Sequence, residues 1–391
     1  MSTGKKIKTA YTFYNKPLLI KGGKEYFDTL KKLIDESKYF LQIQVYIFEE
    51  DQTGREIAEY LKKAAKRGVK IQVLLDGFAS RGLSKEFIRS LQEAYIQIRF
   101  FEPIFRSRHY YFGRRLHHKI IVSDGYKVIV GGLNISDRYN DLPKQEAWLD
   151  YAVLVEGESA FELHKLCQQF FLKKKNIDTL IGKNDVLNAI DPTIHCPIRI
   201  RQNDWVMNKN QISGSYMEIF RNAQKDITIM SSYFIPNKFF RKQMAAAAAR
   251  GIEIKLILAG KSDVGNAKNA ERYFYRWALD RGIKIFEYTK TVLDSKLAIC
   301  DERIVTIGSY NINDISAFAS IELNLDIENE FFAKSVNESI KQILDHHTIE
   351  IKQMDIKNNY TLYHKLEQWL SYYIFRLIFK VFTFYFSKKS L

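Results

Sequence analysis

Two stretches of this chain carry one spaced pattern, and any fold it adopts must build both. The first is His117, Lys119, Asp124, Gly131 and Asn134; the second is Asp294, Lys296, Asp301, Gly308 and Asn311. The offset between the copies is 177 residues throughout, as from Lys119 to Lys296. A single HxK recurs by chance, but two copies of HxKx4Dx6G[GS]xN in fixed register do not, even with Asp294 in place of the second His. In an extended strand His117 and Lys119 share a face, and His118 points to the other. Ile120 to Val122 reads as a buried strand, Asp124-Gly125 as its turn, and Tyr126 to Val130 as a second strand that carries Asn134 back to the first. An imidazole, an ammonium and an amide converging on one spot suit a phosphate: the first can attack phosphorus and the others can hold its oxygens.

The duplication runs beyond the motif. KKAAKRGVKIQVLLDG and AAAAARGIEIKLILAG both end a helix at Arg-Gly, then run a strand into Gly77 or Gly260. Spacing predicts helices over 26–37, 55–67 (with Thr53 as its cap), 84–94 and 159–171, and strands over 40–48, 69–75, 96–101 and 148–156. The second unit repeats this order, with helices at 216–223, 239–250, 270–279 and 328–345 and strands at 226–234, 252–258 and 283–288. A strand, a helix and a strand joined by short turns imply parallel pairing and a right-handed crossover. The expected fold is therefore α/β, with two duplicated halves, each with a mixed sheet, packed face to face about a pseudo-twofold axis. The expected boundaries are a first half over 1–175, a linker over 176–193, a second half over 194–350 and a tail over 351–391.

With 391 residues, 46% hydrophobic and 27% charged, the chain can bury two cores and is not disordered in the main. A net charge of +15 favours anionic partners, phospholipid or nucleic acid, without choosing between them, and a merely soluble basic protein meets it too. Cys167, Cys196 and Cys300 are few and widely spaced, which argues against a disulfide framework and a zinc site and fits a reducing cytoplasm. MSTGKKIKTAYTF lacks the apolar core of a signal peptide. Phe105 to Arg115 interleaves aromatic and cationic residues just before the first motif, a pattern open to a lipid headgroup, a nucleotide or a solvated loop. At the far end, LSYYIFRLIFKVFTFYF (370–386) is short for a membrane span and is interrupted by Arg376 and Lys380. Those cations share one helix face, so the stretch reads as an amphipathic helix lying at a membrane surface, or docked on the protein's own core.

The doubled motif resembles the phospholipase D superfamily, whose two halves each supply one copy to a shared site. The likeness runs from roughly Lys16 to about Asp345. Within that superfamily KIIVSDGYKVIVGGLNISDRY and IVTIGSYNINDISAFASIELNLDI are similar in layout to bacterial cardiolipin synthases. The resemblance implies that His117 is a nucleophile forming a phosphohistidine, and that Lys119, Lys296, Asn134 and Asn311 clamp the phosphoryl oxygens. Ser309 adds a donor, and Asp124, with Asp301 as its match, orients an imidazole. It implies transfer of a phosphatidyl group between phosphatidylglycerol molecules without metal or cofactor, by a peripheral enzyme on the cytoplasmic face of the membrane. A phosphodiesterase nuclease and an inactive lipid-binding homologue are the alternatives, with nucleic acid the less favoured partner; oligomeric state is not legible. Asp294 departs from the family's second His. It is either a surrogate acid or a sign that the second half only binds, because burial and Asp301 raise its pKa while the lysines lower it.

Overall fold

The computed structural model describes residues 10–103, 114–177, 181–191, 193–261, 265–313, 316, 320–359, 364, 366–374 and 377. Most of the basic aromatic segment before the first motif, and the tail beyond 377, lie outside the described residues.

The first half carries β1 (Asn15–Lys21), β2 (Phe40–Val45), β3 (Lys70–Asp76), β4 (Gln97–Phe101), β5 (Arg115–Leu116), β6 (Lys119–Ser123), β7 (Lys127–Gly131) and β8 (Tyr151–Gly157). The second carries β9 (Ile198–Asp204), β10 (Lys209–Asn210), β11 (Asp226–Ser231), β12 (Glu253–Ala259), β13 (Lys284–Tyr288), β14 (Lys296–Cys300), β15 (Ile304–Gly308), β16 (Ser320–Glu328) and β17 (Thr348–Ile351). The first sheet is ordered β1-β8-β7-β6-β2-β3-β4, and the second repeats it as β9-β16-β15-β14-β11-β12-β13, with β10 and β17 added at its edges. Both sheets are mixed, as expected: β2, β3 and β4 are parallel, while β6, β7 and β8 are antiparallel. The parallel pairs follow from the helices between them, which must cross back over the sheet.

Alternation along the strands divides the core. Ile120, Val122, Val128, Val130 and Val153 face Leu297, Ile299, Val305, Ile307, Leu323 and Leu325 of the other half, in one cluster with residues of helices Glu158–Leu172 and Glu330–His347. Ile121, Ile129 and Ala152 point the other way, against helices Lys24–Glu36 and Gln52–Lys66. Each such side chain contributes about 1.5–3 kcal/mol by leaving water, so the shared layer holds the halves in one register. The motif glycines are steric. A Cβ on Gly131 would meet Ala152, and one on Gly308 would meet the Leu323 carbonyl, closing the gap between neighbouring strands.

Several local expectations change. The cap of helix Gln52–Lys66 is Asp51, which accepts the Gly54 N–H, while the Thr53 N–H goes to Asp137. The stretch after 173 contains a helix, Lys183–Ala189, and the helix expected at 270–279 is two, Gly265–Arg272 and Tyr275–Leu279. Beyond the second half, Thr348–Ile351 adds a strand to β13, and residues 366–374 are helical and docked, Tyr372 stacking on Tyr273 at 4.8 Å.

Candidate active site

The site forms where each motif enters its strand by pairing with the other half. β5 runs parallel to β16, with Leu116 opposite Ile321, and the next residues, His117 and Glu322, meet. The second copy is built alike: Leu149 lies opposite Leu293, the Asp294 N–H donates to the Leu149 carbonyl at 2.8 Å, and the next residues are Asp150 and Asp294. Arg114, ion-paired to Asp204, and the Leu116 N–H, given to Asp76 at 2.9 Å, fix the approach to His117.

His117 Nδ1 lies 2.9 Å from Glu322 Oε2. Glu322 is fully buried, and its second partner, the Ser309 hydroxyl, donates at 2.5 Å. Burial pushes the Glu322 carboxyl up, but His117, Lys119 and Ser309 together bring it below its ordinary range, so it is ionised and accepts. His117 then carries its proton on Nδ1 and leaves the Nε2 lone pair free. Burial chiefly lowers the His117 pKa, opposed by Glu322, so the imidazole is neutral at pH 7. The ring keeps 21% of its side-chain exposure and lines a cavity of ≈ 160 Å³ between the halves. His118 turns to the opposite face: its Nε2 pairs with Gln44, and burial drives its pKa down to about 3.

The same cavity is lined by Asn134, Asn311 and Asp294. Asn134 accepts the Ile47 N–H and donates to Tyr139, whose hydroxyl donates to Asp294 at 2.7 Å; Asn311 accepts from Ser232 at 2.7 Å. Behind them lie the lysines. Lys119 Nζ donates to the carbonyl of His117 at 2.6 Å, and Lys296 Nζ donates to the carbonyl of Asp294 and, at 2.7 Å, to its carboxylate. Each ammonium is thus folded back on the residue two places before it. Both lysines act on Asp150 and Asp294, and the two ammonium groups share one neighbourhood.

Two sets of residues depart from expectation. Asp124 accepts the N–H groups of Lys38, Tyr39 and Phe40, each at 2.8 Å, and Asp301 those of Gln224, Lys225 and Asp226. They sit past the far ends of β6 and β14, about 16 Å along the strand from the lysines at ~3.3 Å per residue. Each anchors the start of the neighbouring strand (β2 or β11), and among the described residues neither holds an imidazole by a hydrogen bond. Ser309 likewise holds Glu322 and the Leu323 N–H and is fully buried, so it positions the carboxylate and does not meet the phosphate. Sequence reasoning passed over Glu322, Asp150 and Tyr139. The available signal was a carboxylate set inside an apolar strand, as in SIELNLDIE.

A doubled seven-strand core with one motif from each half on a shared cavity defines a phospholipase D-type fold. The family model described as "Cardiolipin synthase, PLD-like domain" matches residues 30–173 and 216–344, and the chain belongs to that family. It is 30% identical over 353 residues to cardiolipin synthase B of Escherichia coli (strain K12), covering 86% of this chain and 82% of that one. It is 29% identical over 368 residues to the cardiolipin synthase of Halalkalibacterium halodurans, covering 91% and 71%. Among solved structures, phosphatidylserine synthase of Haemophilus influenzae shares the fold, with a TM-score of 0.72, 14% identity and 96% of each chain covered.

Proposed function

We propose that this protein is a phospholipase D-type phosphatidyltransferase that makes cardiolipin from phosphatidylglycerol through a phosphohistidine at His117. The observation that carries the reading is the His117–Glu322 pair at 2.9 Å on a cavity between the halves. His117 Nε2 attacks phosphorus, the bond to glycerol breaks, and the phosphatidyl group rests on the imidazole. The free hydroxyl of a second phosphatidylglycerol then attacks phosphorus and releases the histidine. Lys119 and Lys296, swung from the carbonyls they hold, and Asn134 and Asn311 meet the charge that builds on the phosphoryl oxygens. The names of the relatives, and the coverage of most of each chain, support the choice of substrate.

The enzyme works at a membrane surface, on its cytoplasmic face. Among the described residues no helix is long and apolar enough to cross a membrane. Leu366, Trp369, Leu370, Tyr373, Ile374 and Leu377 recur at helical spacing and are 41% to 62% exposed, while Tyr372 on the opposite side packs on Tyr273 and Phe274. That outward apolar stripe, with Arg376 and Lys380 at and just after its end in sequence, suits the headgroup region of an anionic bilayer. The test is to incubate the purified chain with phosphatidylglycerol vesicles and, separately, with single-stranded DNA. Cardiolipin with intact DNA is expected; DNA cleavage without cardiolipin would overturn the reading. In the same assay, changing Leu370, Ile374 and Leu377 to Glu should cut sedimentation with the vesicles about tenfold or more. Undiminished binding would remove the tail from the membrane contact.

A pH limit follows from Lys119. Burial and the nearby Lys296 ammonium lower its pKa to about 8. The charged form holds phosphate, so the contribution is full below that value and lost as pH rises through it. KM for the lipid should climb about tenfold between pH 7 and 9, and Lys119→Arg, which stays charged, should flatten that limb. A KM level to pH 9 in the native chain would exclude Lys119 from substrate binding.

A further inference from the structure

The second half-site holds a carboxyl group with no imidazole to serve. Asp150 stands to Asp294 as Glu322 stands to His117, because each pair follows the matching cross-half contact, Leu149 with Leu293 and Leu116 with Ile321. Asp150 is fully buried. Its Oδ1 accepts the Tyr151 N–H at 2.7 Å, and its Oδ2 has no hydrogen-bond partner among the described residues. Lys296 Nζ is 3.9 Å from that oxygen but 2.7 Å from Asp294, which also takes the Tyr139 hydroxyl. One ammonium therefore lies between two carboxyl groups and is committed to the one facing the cavity.

The other charged and titratable groups acting around Asp150 are Lys119, Tyr139, Tyr151 and, from helix Lys24–Glu36, Tyr26. A buried carboxylate so poorly matched takes up a proton. Burial, reinforced by Asp294, holds the Asp150 carboxyl well above the ordinary range. Burial also raises Asp294, but Lys296 and the hydrogen bonds from Lys296 and Tyr139 more than offset it and keep Asp294 ionised.

We infer that the Asp150–Asp294 pair holds one proton, stored on Asp150 before substrate binds, and that Asp294 delivers it to the departing glycerol oxygen. This rests on the phosphatidyltransfer reading above. A bound phosphodiester draws on the lysines, loosens the grip of Lys296 on Asp294 and raises the proton affinity of the cavity-facing carboxyl. Lys296 moves the proton by giving one to Asp294 and taking one from Asp150. As the His117 nitrogen–phosphorus bond forms and the phosphorus–oxygen bond to glycerol breaks, Asp294 protonates the glycerolate. In the second step the attacking hydroxyl returns its proton to the carboxylate pair, so the cycle closes with no other co-reactant. Asp150 is a positioning residue in this scheme, and Asp294 is the acid the missing imidazole would have been.

The test compares leaving groups. Asp150→Asn keeps the shape of the neutral carboxyl but cannot release its proton. With phosphatidylglycerol vesicles, glycerol release should fall about 100-fold, the lower end of what acid catalysis supplies. With phosphatidyl-p-nitrophenol in the same vesicles, whose leaving group departs without a proton, release should fall less than about threefold. Asp294→Asn should give the same split and carries the test if Asp150→Asn does not fold. Equal losses on both lipids, or no loss of glycerol release, would overturn the proton pair. A native chain that turned over neither lipid would instead remove the phosphatidyltransfer reading, and the pair with it.

Discussion

His117→Ala is expected to lower phosphatidyl transfer by at least about 10⁴-fold, because it removes the proposed nucleophile and not merely a contact. Among the described residues His117 is the one imidazole that lines the cavity, and the other half supplies Asp294 at the matching place. His118 cannot substitute, since its ring is buried against Gln44 on the opposite face. Chain quenched during turnover of phosphatidylglycerol labelled in its phosphate should carry acid-labile label at His117. The label should vanish in His117→Ala and persist in His118→Ala. Label or turnover surviving in His117→Ala would place the nucleophile elsewhere.

Glu322→Gln should cost about 10²–10⁴-fold in kcat with little change in KM. The carboxylate accepts from Nδ1 and so keeps the Nε2 lone pair available for attack. An amide in its place can donate to Nδ1, which moves the imidazole proton to Nε2 and blanks the nucleophile without moving the ring. It also breaks the match with the Ser309 hydroxyl, which donates to the same oxygen. Single-turnover measurement of the first step separates this from slower product release. A kcat within about tenfold of native would show that the tautomer is set by something other than Glu322.

The strands β2, β3, β4, β6, β7 and β8, with β11, β12 and β13, were legible because they set apolar runs against short polar turns, whereas β1, β9, β16 and β17 were not anticipated. The repeated Arg-Gly-strand-Gly phrase marked the same place in both halves, and β3 and β12 lie there. Asp294 was legible as a departure. The roles of Asp124 and Asp301 were not: in a duplicated chain, a residue that builds the fold repeats at the same interval as one that does chemistry. Asp124 recurs because three backbone N–H groups need an acceptor where β2 begins, and it sits at φ 51, which an Asp tolerates better than most residues. Glu322 and Asp150 escaped for another reason. The alternation of a strand tells which face a carboxylate occupies, but not which strand of the other half lies beside it, and that neighbour decides what the carboxylate does. The effect of Asp294 likewise depended on Tyr139 and Lys296 as hydrogen-bond donors, and only one of them is near it in sequence.

The contact between His117 and Glu322 joins residues 205 positions apart. A chain still emerging from the ribosome, with its first half already folded, carries the imidazole but has nothing to set its proton. Partial products of synthesis that end before Glu322 are accordingly expected to leave phosphatidylglycerol unreacted, and the chemistry to begin only once β16 of the second half has docked beside β5.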